Sequence, residues 1–337
     1  MLMTSTRTCD IPKAYDRLTL AATLRVARLL CFVFILGCDS TPKNEVRIER
    51  TSYWQWQDIT GRQIETAHYV IYTTVTDNDS VQRFARVMEG AFTQYASLVP
   101  AIKPDERKLN LHFFATHDEW ARYTIATTGK DAEAYLSVLN GGYAVKDEFV
   151  CWLSNESDTL TTAAHEGLHQ FVARYFRTRL PPTLEEGLAC TFETYTFTDT
   201  VVTFNPTKNP RRQAALRNAI DGNYLIPLDT LVMIHAGDLR DRDPALRESY
   251  YAQAWALAAM LREKPTYRLS FLAMMRAAAL GDTPIEIGRN DGSQLYHPDR
   301  IRPFLQRYVA PDWKTFQADY DQAVRDLADK PTTDPQP

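Results

Sequence analysis

"TTAAHEGLHQF" (Thr161–Phe171) decides how the rest of this chain is read. Two histidines, His165 and His169, stand four apart, and Glu166 follows the first. Around them Leu160, Ala164, Leu168, Phe171, Val172 and Tyr175 recur at helical spacing. The segment 158–177 therefore reads as an amphipathic helix whose apolar stripe faces a core. Residues four apart on a helix project side by side, which is the spacing at which two imidazoles grip one tetrahedral ion. Glu166 then lies beside the open coordination position, where a carboxylate can take a proton from water and pass it to a leaving amine.

A catalytic zinc site needs a third protein ligand. A third histidine six residues past His169 is ruled out, because that position is Tyr175 and Val172 stands where the pattern needs glycine. Downstream lies "RLPPTLEEGLACTFETY" (179–195). Pro181-Pro182 ends any helix carried over, Thr183 suits an N-cap, and a second helix is expected over 183–196 with Glu185 and Glu186 in its first turn. A carboxylate from a second helix completes a two-histidine, one-glutamate set and leaves one place for water. Thr183-x-x-Glu186 is also a capping box, in which the glutamate would bond back to the Thr183 N–H. With histidines at ligand spacing before it and Gly187-Leu188-Ala189 after it, the ligand reading is the stronger.

Upstream the pattern alternates. "HYVIYTTV" (68–75), "KLNLHFFAT" (108–116), "GGYAV" (141–145) and "EFVCWL" (148–153) read as strands, the last two joined by a tight Lys146-Asp147 connection. Helices are expected over 80–99 and 117–127, and after residue 157 over 158–177, 183–196, 208–220, 244–263, 266–279, 300–308 and 312–328. A small mixed sheet with the motif helix, followed by a mostly helical half, makes the fold class α+β. Gly142, Tyr143 and Ala144 form a Gly-rich strand that suits either an ordinary hairpin or an edge for an extended peptide. Trp120, Trp152 and Trp255 read as core, and His68, His112, His117, His235 and His297 lack spaced partners.

The N-terminal stretch reads differently. Arg25 and Arg28 precede "LLCFVFILGC" (29–38), too short to span a bilayer but suited to a signal-peptide core. It ends in Ile35-Leu36-Gly37-Cys38, which resembles a bacterial lipobox and implies lipidation of Cys38. Residues 1–37 read as a lipoprotein-type signal peptide, 38–60 as a tether and 61–328 as one domain, with an α/β half (61–177) and a helical half (178–328). Residues 329–337 read as a disordered tail. The net charge of −4 becomes −7 without the leader, which carries five basic and two acidic side chains. No dense Lys/Arg cluster occurs, so nucleic acid is not expected as a partner. Cys151 and Cys190 remain outside the leader and the lipobox, as a disulfide or as two buried thiols.

"HEGLH" followed by "LEEGLA" resembles the Glu-zincins of the peptidase MA clan, and more closely the MA-like domains of exported bacterial lipoproteins. "TAHYVIYTTV", "LHFFATHDEWARY" and "YYAQAWALAAML" (250–261) extend the likeness over about residues 65–280. The resemblance implies His165, His169 and Glu186 as zinc ligands and Glu166 as general base. It implies an oxyanion donor at Tyr251, with Tyr250 as competitor, since one residue turns a helical side chain by about 100°. Thermolysin-like relatives place an aspartate four residues past the ligand glutamate; here that residue is Cys190. Glu193, a turn further, either orients a ligand histidine or simply faces solvent. The expected activity is zinc-dependent hydrolysis of a peptide or protein substrate at the cell envelope, with the membrane reached through the Cys38 anchor. The alternative is an inactive lipoprotein of the same fold that binds or scaffolds.

Overall fold

The computed structural model describes residues 46–331, apart from 101, 105, 138–140, 146, 199–200, 240–241, 291 and 294. The signal segment, Cys38 and Lys146 lie outside the described residues. The chain runs β1 (Arg50–Trp56), β2 (Ile59–Glu65), β3 (Tyr69–Thr73), α1 (Asn78–Ser97), β4 (Leu109–Phe114), α2 (His117–Thr128), α3 (Ala132–Leu136), β5 (Gly142–Val145) and β6 (Glu148–Trp152). It continues through α4 (Glu156–Tyr175), α5 (Pro182–Cys190), β7 (Tyr195–Phe197), β8 (Val202–Phe204), α6 (Pro210–Asp221), α7 (Leu228–Leu231), α8 (Pro244–Glu263), α9 (Pro265–Leu280), α10 (Ile301–Tyr308) and α11 (Trp313–Asp329). The α+β class holds: a mixed sheet in the first half, helices dominating the second.

The sheet order is β1-β2-β3-β4-β6-β5. β3, β4 and β6 pair in parallel, and β1-β2-β3 and β5-β6 are antiparallel. Two corrections follow. β1 and the start of β2 fall within 38–60, so the stretch read as a tether belongs in part to the sheet. β7 and β8 form a small separate hairpin where the helix over 183–196 was expected to end.

One sheet face (Tyr69, Ile71, Leu109, Leu111, Phe113, Phe149) packs under α1 and α4, with Phe84 stacked on Phe113 at 4.2 Å. Gln170 of α4 pins that helix to the sheet, donating to the carbonyls of Asn110 (2.8 Å) and Asp147 (2.6 Å). The opposite face is aromatic and is covered by α2, with Phe114, Trp120 and Tyr143 buried in it. In the helical half α8 is central. Its Gln253 brackets Ile226, donating to the carbonyl and accepting from the N–H, both at 2.8 Å. Trp120 and Trp255 are buried as expected, and Trp152 is half-buried. Cys151 and Cys190 are buried free thiols. No helix among the described residues is long and apolar enough to cross a membrane.

Where α5 crosses α8 the approach is close. A Cβ on Gly187 would lie 2.0 Å from the backbone oxygen of Ala254. Backbone cannot yield as a flexible side chain does, so α5 can sit on α8 only with glycine here. Gly187→Ala is expected to destabilise the protein by about 1–3 kcal/mol or more. Urea denaturation checks this.

Candidate metal centre

α4 is capped by Asn155, whose side chain accepts from the Asp158 N–H, and runs unbroken through both histidines. His165 and His169 project together, ring centroids 5.2 Å apart. Glu186 enters from α5: its Oε2 lies 3.4 Å from His165 Nε2 and 3.5 Å from His169 Nε2. One ligand atom from each of the three lies within 4.8 Å of the others. The capping-box alternative does not form. The N-cap of α5 is Pro181, and the Thr183 hydroxyl, already inside the helix, donates to the Leu231 carbonyl at 2.7 Å. Glu186 is thereby left to face the histidines.

Each imidazole is fixed from behind. His165 Nδ1 lies 3.0 Å from Glu193 Oε1, and His169 Nδ1 lies 2.9 Å from Glu185 Oε1. A proton on each Nδ1 leaves both Nε2 lone pairs aimed at the space beside Glu186, the usual carboxylate–histidine arrangement behind a metal. Glu193 is therefore not a solvent-facing residue. It also does not lie on a continuing helix: it sits in the turn after α5. Arg212 holds it from Nε (2.9 Å to Oε2) and Nη2 (2.7 Å to Oε1), and Asn209 Nδ2 adds a contact to Oε2 at 2.8 Å.

Burial works against charge on all these groups, yet their partners prevail. For Glu186, the charge of His169 and the hydrogen bond of His165 hold the carboxyl well below the usual carboxylate range despite burial. For the histidines, burial lowers the pKa, but hydrogen bonds with Cys190, Glu186 and Glu193 on His165, and Glu186 and Glu185 around His169, raise both well above the ordinary value. Three carboxylates thus surround two imidazoles; Arg212 balances Glu193, and a dication would supply the charge that two protons otherwise bring. The donor set of two imidazole nitrogens and one carboxylate oxygen suits zinc. A second grouping, His165 with Cys190 and Glu193, fits a metal poorly. Glu193 is taken by Arg212 and Asn209, and burial pushes the Cys190 thiol up, away from the thiolate a metal needs.

Glu166 faces the cleft between α4 and β5. The Ala144 N–H donates to its Oε2 at 3.0 Å. Burial raises its pKa, offset in part by His169 and His165. Because the Ala144 N–H looks out of the sheet edge, so does the backbone of Gly142, two residues back in the antiparallel ladder. Tyr143 does not join them: its side chain is buried on the far side of the sheet, and its hydroxyl donates to Thr124 Oγ1 at 3.2 Å. The tyrosine pair also separates. Tyr250 is fully buried with its hydroxyl near Thr183 and Ile234, whereas Tyr251 lines the cleft with His165 and Glu166.

Glu185, Asn209 and Arg212 carry no signal in a sequence reading. Glu185 differs from Glu186 only by which face of α5 it takes, and the arginine reaches Glu193 across 19 residues. A comparison of the chain with family models finds no match, and a comparison with curated proteins finds none.

Proposed function

We propose that the chain is a zinc-dependent peptidase of the Glu-zincin kind, exported and tethered through Cys38. One observation carries the reading: two Nε2 atoms and a Glu186 oxygen converge beside the Glu166 carboxylate, which a backbone N–H of an open sheet edge holds in place. His165, His169 and Glu186 would hold zinc, which when bound polarises a scissile carbonyl and makes water a stronger nucleophile. Glu193 and Glu185 keep the imidazoles oriented for that task. Glu166 takes a proton from the attacking water and passes it to the leaving amine. Gly142 and the Ala144 carbonyl offer backbone groups to an extended substrate, the Ala144 N–H being held by Glu166.

Tyr251 stands across the cleft from Glu166, with the Arg212 guanidinium 5.0 Å from its ring centroid. Its hydroxyl, which burial keeps protonated far above neutral pH, donates to the developing oxyanion. Tyr251→Phe is expected to lower kcat by roughly 10²-fold with KM little changed, read from steady-state peptide hydrolysis.

The test of the reading is elemental. Purified protein should contain one zinc per chain, lose it on chelation together with peptide cleavage, and regain both on adding zinc. His169→Ala should hold far less metal. A full complement of zinc in that variant, or cleavage that survives chelation, would overturn the assignment.

A further inference from the structure

The cleft extends from the metal centre in two directions, and the two arms differ in chemistry. One, about 410 Å³, is lined by His169, Glu185, Glu186 and Ala144, with a single guanidinium, Arg179, whose Nε donates to the Arg289 carbonyl at 3.3 Å. The other, about 390 Å³, leads from His165 past Gly142 to Arg211, Arg212 and Arg247. Arg211 and Arg212 open α6 and meet Glu248 of α8 from two sides, at 2.9 Å and 3.2 Å. One carboxylate is thus shared by two guanidiniums, while Arg212 is also engaged with Glu193. Arg211 reaches Glu248 through Nη2 while its side chain is 55% exposed. A guanidinium carries five N–H donors in a planar fork that matches a carboxylate. Arg247 adds a third guanidinium to the same wall.

Strand direction says which end of a substrate meets this wall. Gly142 lines the arginine arm and Ala144 the other. A peptide pairing with the open edge of β5 in the more stable antiparallel sense runs from Ala144 toward Gly142. Its C-terminal side therefore enters the arginine arm.

Resting on the peptidase reading above, we propose that this arm recognises a carboxylate on the C-terminal side of the scissile bond, with Arg211 and Arg247 as the specificity-determining residues. The carboxylate is either the free C-terminus of a short leaving piece or an acidic side chain near it. The enzyme selects peptides by that charge.

The experiment uses the full chain carrying Glu166→Gln, loaded with zinc, so that binding is read without turnover. Three pools of N-acetylated tetrapeptides are titrated: one with C-terminal carboxylates, one with C-terminal amides, and one of amides with aspartate at either of the last two positions. At least one carboxylate-bearing pool should bind about ten-fold or more tightly than the neutral amides, the scale of a charge-assisted hydrogen bond. A gain for the first pool alone identifies the free terminus, and a gain for the aspartate pool alone identifies the side chain. Adding Arg211→Gln and Arg247→Gln should reduce the advantage to about two-fold or less. Equal binding of the three pools, or binding by none, overturns the proposal, and that comparison does not depend on the arginine variant folding. Cleavage of the pools by the wild-type protein is scored separately. A charge preference without any cleavage would sink the peptidase reading and leave the carboxylate site standing.

Discussion

Glu166→Gln is expected to retain one zinc per chain and to hydrolyse peptides roughly 10²–10⁴-fold more slowly than wild type, the range that a positioned general base contributes. Three features single the residue out. It lies next to the three convergent ligand atoms without being one of them, so its loss should spare the metal. Its carboxylate is held by the Ala144 N–H, a contact that the glutamine carbonyl oxygen can still accept, so the side chain should stay in place. Burial raises its pKa, offset in part by His169 and His165, so the carboxylate is more basic than a solvated one. Only basicity is removed. Parallel measurement of zinc content and kcat separates the outcomes. Full activity would place the base elsewhere, and lost zinc would make Glu166 a ligand. Unaltered zinc with neither variant nor wild type active would favour a binding protein of the same architecture.

What the sequence made legible was whatever repeats locally. α4 could be read because its apolar stripe recurs every three to four residues, and the histidine pair is part of the same helical geometry. Glu186 could be read because two prolines and a glycine mark where α5 starts and how closely it packs. β1 escaped because it is an edge strand whose residues are all exposed or half-buried, with polar Thr51 and Ser52 before its aromatics and Gln55 among them, so its alternation is weak. The helix expected over 183–196 stops at Cys190, as the Thr191 N–H turns back to Gly187 and Leu188, and a hairpin follows. Glu193 was nonetheless a sound candidate, since that turn brings it to His165. The support behind it, Asn209 and Arg212, was not legible: a polar tie across 16 to 19 residues depends on how α6 folds back, and no fixed spacing encodes that.

Arg212→Met should cost about 3–5 kcal/mol of folding stability, the penalty for removing one partner of a buried ion pair. The side chains of Arg212 and Glu193 are only 6% and 7% exposed. Methionine preserves most of the stem packing but withdraws both hydrogen bonds to Glu193, one to Glu248, and the stacking on the Tyr251 ring. Glu248 still has Arg211, but Glu193 is left with Asn209 and His165 around a buried charge. Removing that charge as well separates two roles. The double variant Arg212→Met with Glu193→Leu should recover much of the stability, because no unpaired ion remains, and the two losses should be strongly non-additive in a urea-denaturation cycle. Zinc affinity should not recover with it. His165 Nδ1 would have lost the acceptor that orients the ring, a change that typically weakens a metal site by about 10–100-fold. Stability restored while zinc still binds weakly is the pattern expected if Glu193 serves the metal centre. Recovery of both would make Glu193 and Arg212 a structural pair, and the histidine would then be held in place by its packing alone.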